Sequence, residues 1–169
     1  TLLYVILPLS IIAMFAGTIM AIYEKDIKRL LAHSSVAQIG YITLAFAIGT
    51  KASIAAGFIH MFNHAIIKGG LFIAITSLGF FIQKRVTINN LSGLGRAMPN
   101  TFFCFVLCSL SLAGLPLTDG FISKLYLIKA TISSDAIWIA ILILISSALS
   151  VVYLWKMIEV MWMREGRKI

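Results

Sequence analysis

Residues 1–23 carry no charged side chain, and that run excludes most of what a polypeptide can fold into. Wound as an α-helix at 1.5 Å per residue, it extends about 35 Å, enough to cross the hydrocarbon of a bilayer. Pro8 can kink such a span without ending it. Ala13, Gly17 and Ala21 recur every fourth residue, a small-residue row that lets a second helix approach closely. The run stops at Glu24-Lys25-Asp26-Ile27-Lys28-Arg29, a charged turn that has no place in hydrocarbon. Composition extends the reading to the whole chain. Of its 169 residues 60% are hydrophobic and 12% charged, and the mean hydropathy is +1.01, too little polar material to cover a soluble globule. The chain is expected to be an all-α integral membrane protein with the bilayer as its solvent and partner.

Four further crossings follow. Residues 30–49 form the second, with Ser34, Ser35 and Gln38 placed to hydrogen-bond between helices. Residues 51–82 form the third, about 45 Å long if fully helical, which exceeds a straight crossing. That helix must tilt, or Gly69-Gly70 must loosen it. Lys84, Arg85 and Arg96 mark the next aqueous connection, with turn formers at Asn89-Asn90 and Ser92-Gly93. Residues 97–131 are too long for one regular crossing and carry Ala113-Gly-Leu-Pro-Leu-Thr-Asp-Gly120 in their middle. Pro116 removes a backbone donor, and Gly114 and Gly120 permit non-helical dihedrals, so two half-helices joined by an unwound link are predicted. Residues 136–163 form the last span. Trp138 and Trp162, roughly 36 Å apart, suit interfacial anchors, and Lys156 is placed to snorkel or to pair with Glu159.

A net charge of +8 would suit nucleic acid if the basic residues formed one patch. They fall instead in short clusters between apolar spans, where orientation in the membrane explains them and no nucleic-acid partner is expected. Five crossings place Lys25, Lys28, Arg29, Lys84, Arg85, Arg96, Arg164, Arg167 and Lys168 on one side, against Lys51 and Lys129 on the other. The rule that positive loops stay inside puts the basic loops in the cytoplasm, or its organellar equivalent, and Thr1 on the outer side. A bacterial or archaeal plasma membrane is the expected location, with an organellar inner membrane as the alternative. Cys104 and Cys108 have no second ligand pair, so packing and no metal site is expected. No signal peptide is apparent, and a chain that opens on Thr1 reads as a fragment of something longer.

Within this apolar frame the stretch 57–72 is interrupted by His60, Asn63, His64 and Lys68. At 100° per residue His60, His64 and Lys68 lie within about 80° of one another, so one helix face carries three titratable groups and must look onto protein or water. Lys124 follows the broken helix by one turn. A lysine at bilayer depth costs several kcal/mol if charged and unpaired, so it needs a partner or sheds its proton. Titratable groups at one-turn spacing can pass protons stepwise through side chains and water. A broken helix adds free carbonyls, amides and two half-helix dipole ends. Asp119 is the acidic residue of the broken region, either a counter-charge to Lys124 or the cap of the second half-helix, with capping favoured. The alternative for the histidines is that they only join helices. No phosphate loop, dinucleotide fingerprint, zinc pattern or nucleophile elbow is present, so no cofactor and no covalent catalysis are expected.

Three motifs carry a family resemblance: residues 24–41, EKDIKRLLAHSSVAQIGY; 60–68, HMFNHAIIK; and 112–117, LAGLPL, followed by 120–124, GFISK. In this order they resemble the antiporter-like proton-translocating subunits. That family includes the large membrane subunits of NADH:quinone oxidoreductase (complex I), relatives in membrane-bound hydrogenases, and subunits of Mrp-type Na+/H+ antiporters. The resemblance implies a subunit of about fourteen transmembrane helices, of which these five match the ninth to thirteenth as a single transmembrane region. It implies that His60, His64 and Lys68 lie on a central hydrophilic axis. Lys124 is then the titratable residue of the discontinuous twelfth helix, linked to proton exit. The turn Asp26-Ile27-Lys28-Arg29 is expected to be structural, with a channel mouth as the alternative place for Lys28, and Asn63, Asp119 and Lys28 are candidate supporting residues. His33 stands where the family usually has an aromatic residue, and the family often lacks an acidic residue at the place of Asp119. The family's earlier half has no counterpart here, including its broken seventh helix with a lysine, its bridging eighth-helix residue and its fifth-helix glutamate.

The expected function is proton translocation, or Na+/H+ exchange, within a multisubunit respiratory or antiporter complex. Such a chain could be a subunit of a proton-pumping NADH:quinone oxidoreductase. Nothing points to quinone or iron-sulfur contact, which tips the reading toward the antiporter relatives. The alternative is a structural or truncated membrane subunit that transports nothing.

Overall fold

The computed structural model describes residues 2–164. Thr1, Arg167 and Lys168, which entered the charge asymmetry above, lie outside the described residues. Seven α-helices follow in order: α1 Leu2–Tyr23, α2 Ile27–Ile48, α3 Lys51–Ile82, α4 Leu94–Ala97, α5 Pro99–Ala113, α6 Asp119–Ile132 and α7 Ile137–Trp162. A 3-10 turn, Ile88–Leu91, precedes α4. Four of the helices are long and apolar enough to cross a membrane, and the shorter apolar α5 forms the first half of the broken crossing. The expected all-α membrane architecture with about five spans is therefore observed.

Local chemistry sets the ends. Asp26 caps α2, accepting the N–H groups of Lys28 and Arg29 at 2.9 and 3.1 Å. Thr50 and Ser53 form a reciprocal capping box at the start of α3, satisfying two backbone donors that would otherwise be orphaned. Gly49 ends α2 with φ +74°, a left-handed conformation that costs glycine least. All 32 residues of α3 are α-helical, so Gly69-Gly70 does not interrupt it. Gly70 instead receives Cys108, whose Sγ lies 2.7 Å from where an alanine Cβ would stand. The broken crossing starts at Pro99 rather than at residue 97, because Ala97 closes the separate turn α4 and Pro99 occupies the first turn of α5, where its missing N–H costs nothing.

Within the small-residue row on α1, Gly17 makes the expected close approach. A Cβ on Gly17 would fall 2.6 Å from the Ala37 backbone N, and one on Gly40 would fall 2.7 Å from that of Met14, so α1 and α2 touch backbone to backbone. α3 packs against α2, α5 and α6, while α7 crosses α1, α5 and α6. The Asp26 loop and the loop after α3 are tied together by Ile27 N–H to Val86 O (3.1 Å) and Ile88 N–H to Lys25 O (3.0 Å). The basic loops thus share one end of the bundle. Lys156 is exposed and makes no ion pair with Glu159 within 4 Å. Trp138 and Trp162 are both exposed, and Trp162 also stacks on Phe102 with ring centroids 5.1 Å apart.

Two buried apolar clusters divide the interior. One, around Leu31, Ile67, Ala113 and Tyr153, lies toward the basic loops; the other holds Met14, Tyr41, Ala56, Leu127 and Ile143. On each crossing, polar residues fall between the members of the two clusters: Thr18 on α1, Ser34 and Gln38 on α2, His60 and His64 on α3, Ser123 and Lys124 on α6, and Ser146, Ser147 and Ser150 on α7. A polar layer therefore crosses the bundle at mid-depth.

Candidate functional site

The link between α5 and α6 is built by its sequence. Gly114 closes α5 with φ +82°, and Leu117 takes φ +74° after Pro116. Thr118 then has the extended backbone of a cap, and its hydroxyl receives Phe121 N–H at 3.4 Å. Thr118, not Asp119, caps the second half-helix. Asp119 is exposed in its first turn, where a carboxylate favours the positive end of the helix dipole, and it forms no ion pair with Lys124 among the described residues. Its backbone carbonyl accepts Asn63 Nδ2 at 3.0 Å, so Asn63 ties α3 to the start of α6. Gly120 seats α6 directly on α5: a Cβ there would lie 1.8 Å from Ser111 O.

Lys124 is buried, with 4% of its surface exposed. Its Nζ donates to Leu112 O at 3.0 Å, Ala113 O at 3.1 Å and Ser147 Oγ at 2.8 Å. Two of these acceptors are terminal carbonyls of α5, the negative end of a half-helix dipole. Ser147 Oγ in turn donates a hydrogen bond to Ala113 O at 3.0 Å. Gly114 leaves room for the Lys124 side chain, since a Cβ there would stand 3.0 Å from Lys124 Cδ.

His60 occupies the adjoining seat, 4% exposed. Its Nδ1 is 2.8 Å from Ser123 Oγ and its Nε2 is 3.0 Å from Gln38 Oε1. Ser123 donates to Gly120 O at 3.1 Å. Tyr41 joins the two seats, its ring 5.3 Å from Lys124 Nζ and edge-on to His60 at 5.7 Å. The Tyr41 hydroxyl is buried beside Ser146 without closing a hydrogen bond.

Lys68 has a separate seat built to the same plan. Its Nζ donates to Leu31 O at 2.7 Å and to Ser34 Oγ, and the buried Tyr153 hydroxyl lies next to Ser34 and Ser150 without bonding either. Each lysine is thus held by backbone carbonyl and a serine hydroxyl near a tyrosine. Neither has a carboxylate within 4 Å among the described residues. His64 is half-buried, with a buried and unpartnered Nδ1. It lies within electrostatic reach of Lys68 and of His60, which in turn feels Lys124.

Of the residues singled out in the sequence, His60 and Lys124 occupy adjoining seats joined by the Tyr41 ring, Lys68 has a seat of its own between Ile67 and Leu71 of the cluster toward the basic loops, and Ser34 and Gln38 hydrogen-bond across helices as expected. Ser35 does not, bonding Leu31 O in its own helix at 3.1 Å. Lys28 stands ten residues from Gln38, about 15 Å along α2, and is exposed. Sequence reading gave no role to Tyr41, Ser123 or the α7 row Ser146, Ser147, Ser150 and Tyr153. The spacing of that row at three and four residues on an otherwise apolar helix is the signal that could have found it. Among the described residues no cluster of histidine, cysteine or carboxylate side chains could hold a metal.

Long apolar helices, a crossing broken at mid-depth and buried lysines held by neutral oxygens define a polytopic membrane subunit with titratable groups in its interior. The chain belongs to the family described as NADH:quinone oxidoreductase/Mrp antiporter, TM, which matches residues 1–150. It is 40% identical over 144 residues to NADH-quinone oxidoreductase subunit N of Desulforudis audaxviator, covering 85% of this chain and 28% of that protein. To F(420)H(2) dehydrogenase subunit N of Methanosarcina mazei it is 34% identical over 162 residues, 91% of this chain and 33% of the relative. Among solved structures, a chain of the Mrp complex from Dietzia sp. superposes with a TM-score of 0.90 at 29% identity, over 99% of this chain and 31% of that one. The chain spans about a third of the length of the curated relatives it matches.

Proposed function

We propose that this chain carries protons through the membrane part of a multisubunit respiratory assembly, along His64 and His60 toward Lys124, with Lys68 as the further titratable group of the same row. The observation that carries the reading is the seat of Lys124: an ammonium buried inside a broken helix, held by carbonyl and hydroxyl oxygens alone, with a histidine across one aromatic ring. No fixed carboxylate pins its charge, so a neighbouring charge can decide whether the proton stays.

His60 suits the step before it. As placed, both ring nitrogens face acceptors, the arrangement an imidazolium needs; a half-turn of the Gln38 amide puts a donor against Nε2 and serves the neutral ring. One seat therefore accepts both protonation states without moving the helices. Water bridging the unpartnered His64 Nδ1 and Tyr41 hydroxyl would complete the contacts between seats.

The five crossings correspond to the ninth to thirteenth helices of a fourteen-helix subunit, and further helices supply the entrance to the path. Electron transfer elsewhere in the assembly drives the protons. The two N-type relatives named above belong by their names to a NADH-quinone oxidoreductase and an F(420)H(2) dehydrogenase, which favours this source over Na+ exchange and displaces the antiporter preference read from the sequence. The basic loops face the cytoplasm of a bacterium or archaeon, and other membrane subunits are the partners.

The test is Lys124→Ala in the complete assembly reconstituted into vesicles. Loss of proton movement with electron transfer or subunit assembly retained is expected. Unchanged pumping would overturn the role and favour a structural subunit.

A further inference from the structure

At the end of the bundle where the basic loops meet, a cavity of about 690 Å³ opens between the start of α2 and the end of α3. Lys28 and Arg29 line one wall, Lys84 and Arg85 the other, and Gly79 and Phe80 form its apolar floor. The carboxylate in the cavity, Asp26, is already engaged by Arg85 Nε at 2.7 Å and by two backbone N–H groups. Glu24 acts on Arg29 from the preceding turn. Lys28 and Lys84 are both exposed and make no ion pair within 4 Å among the described residues.

The floor of this cavity continues along one face of α3. Phe80, Thr76, Ile73, Gly69 and Ile66 fall within about 80° of one another at helical spacing. Among the described residues all five are exposed, and Gly69 leaves an open notch with none of their atoms within 4 Å of a Cβ. From Phe80 to Ile66 the track runs roughly 21 Å, more than the depth of one bilayer leaflet. A soluble anion would use the cations and waste the track.

We propose that this cavity binds the phosphodiester of an anionic glycerophospholipid, with an acyl chain laid along the Phe80–Ile66 face of α3. Two free lysines and an adjoining guanidinium answer one phosphate charge, and a choline or amine headgroup would bring a second cation among them. Lys28, read from the sequence as part of a structural turn with a channel mouth as the alternative, is here a headgroup ligand.

The test places a Phe80→Trp reporter in the complete assembly in nanodiscs and compares quenching by brominated phosphatidylglycerol and brominated phosphatidylcholine. Quenching selective for the anionic lipid is expected, with the preference falling about tenfold or more in Lys28→Gln/Lys84→Gln. Equal quenching by both lipids would overturn the site, as would no quenching by either, which would mean that protein covers the face. Displacement by millimolar inorganic phosphate would make it a free-anion site and overturn the lipid assignment. If the reporter variant fails to assemble, native mass spectrometry of the parent and of the double lysine variant reads the same point: co-purified anionic lipid retained by the parent and lost from the variant supports it, and equal retention overturns it.

Discussion

Lys124 Nζ lies 5.3 Å from the centroid of the Tyr41 ring, which meets His60 edge-on on its other contact. The ring separates two titratable groups while offering its electron-rich face to the cation, an attraction of about 0.5–2 kcal/mol. Tyr41→Phe keeps the ring and is expected to retain most proton movement, whereas Tyr41→Leu loses the face and slows it roughly tenfold. Proton uptake by reconstituted vesicles distinguishes the two; equal rates for Phe and Leu would show that the ring is only packing.

Gln38 bonds His60 from the opposite helix at 3.0 Å. Gln38→Leu removes the partner of Nε2 that can turn between acceptor and donor, and a lost bond to a charged group is worth about 1.5–3 kcal/mol. Proton movement is expected to fall about tenfold or more, with Gln38→Asn recovering little because the shorter side chain does not reach. A Leu variant with parental rate and parental pH profile would remove Gln38 from the mechanism.

Gly120 and Gly69 are both helical glycines with opposite surroundings. A Cβ on Gly120 meets Ser111 O at 1.8 Å, and one on Gly69 meets nothing within 4 Å. Gly120→Ala must push the two half-helices apart, costing about 2 kcal/mol or more, whereas Gly69→Ala should change stability by less than about 1 kcal/mol. Thermal unfolding in detergent measures both, and a neutral Gly120→Ala would contradict the seating of α6 on α5.

Asp26 couples the loop end to acid. Burial works against its charge, but the Arg29 N–H, the Arg85 guanidinium and the Lys28 N–H outweigh it and hold its carboxyl below the ordinary value. Because the folded value lies beneath the unfolded one, near 3.9, this stabilisation is complete above about pH 4 and is lost as pH falls further. Asp26→Asn keeps a cap and deletes the pair with Arg85. Unfolding followed from roughly pH 7 to pH 3 should show a shallower acid loss in the variant than in the parent; identical slopes would exclude Asp26 as the group responsible.

The number and placing of the spans were legible because apolar length is a local property. The start of the charged turn after Tyr23, the full extent of α3 and the break between Ala113 and Gly120 each follow from residues within a few positions. The buried lysines were legible for the same reason: a charge inside an apolar run has few places to go. Asp119 misled because Asp and Thr both cap helices. Pro116 and the left-handed Leu117 decided between them by giving Thr118 the extended backbone.

The sequence by itself determined that about five crossings exist, that one is broken, and that His60, His64, Lys68 and Lys124 interrupt apolar spans. The spacing of a single helix is enough to show a row along its own axis. Only the tertiary structure decided that His60 and Lys124 belong to a layer running across the bundle, with Gln38, Tyr41, Ser123 and Ser147 completing their seats, and that Lys68 is held apart from them by Leu31 and Ser34. Those partners come from helices far apart in the chain, and their adjacency follows from backbone contact at Gly17, Gly40 and Gly120, where side-chain volume, rather than polarity, sets which turn faces which.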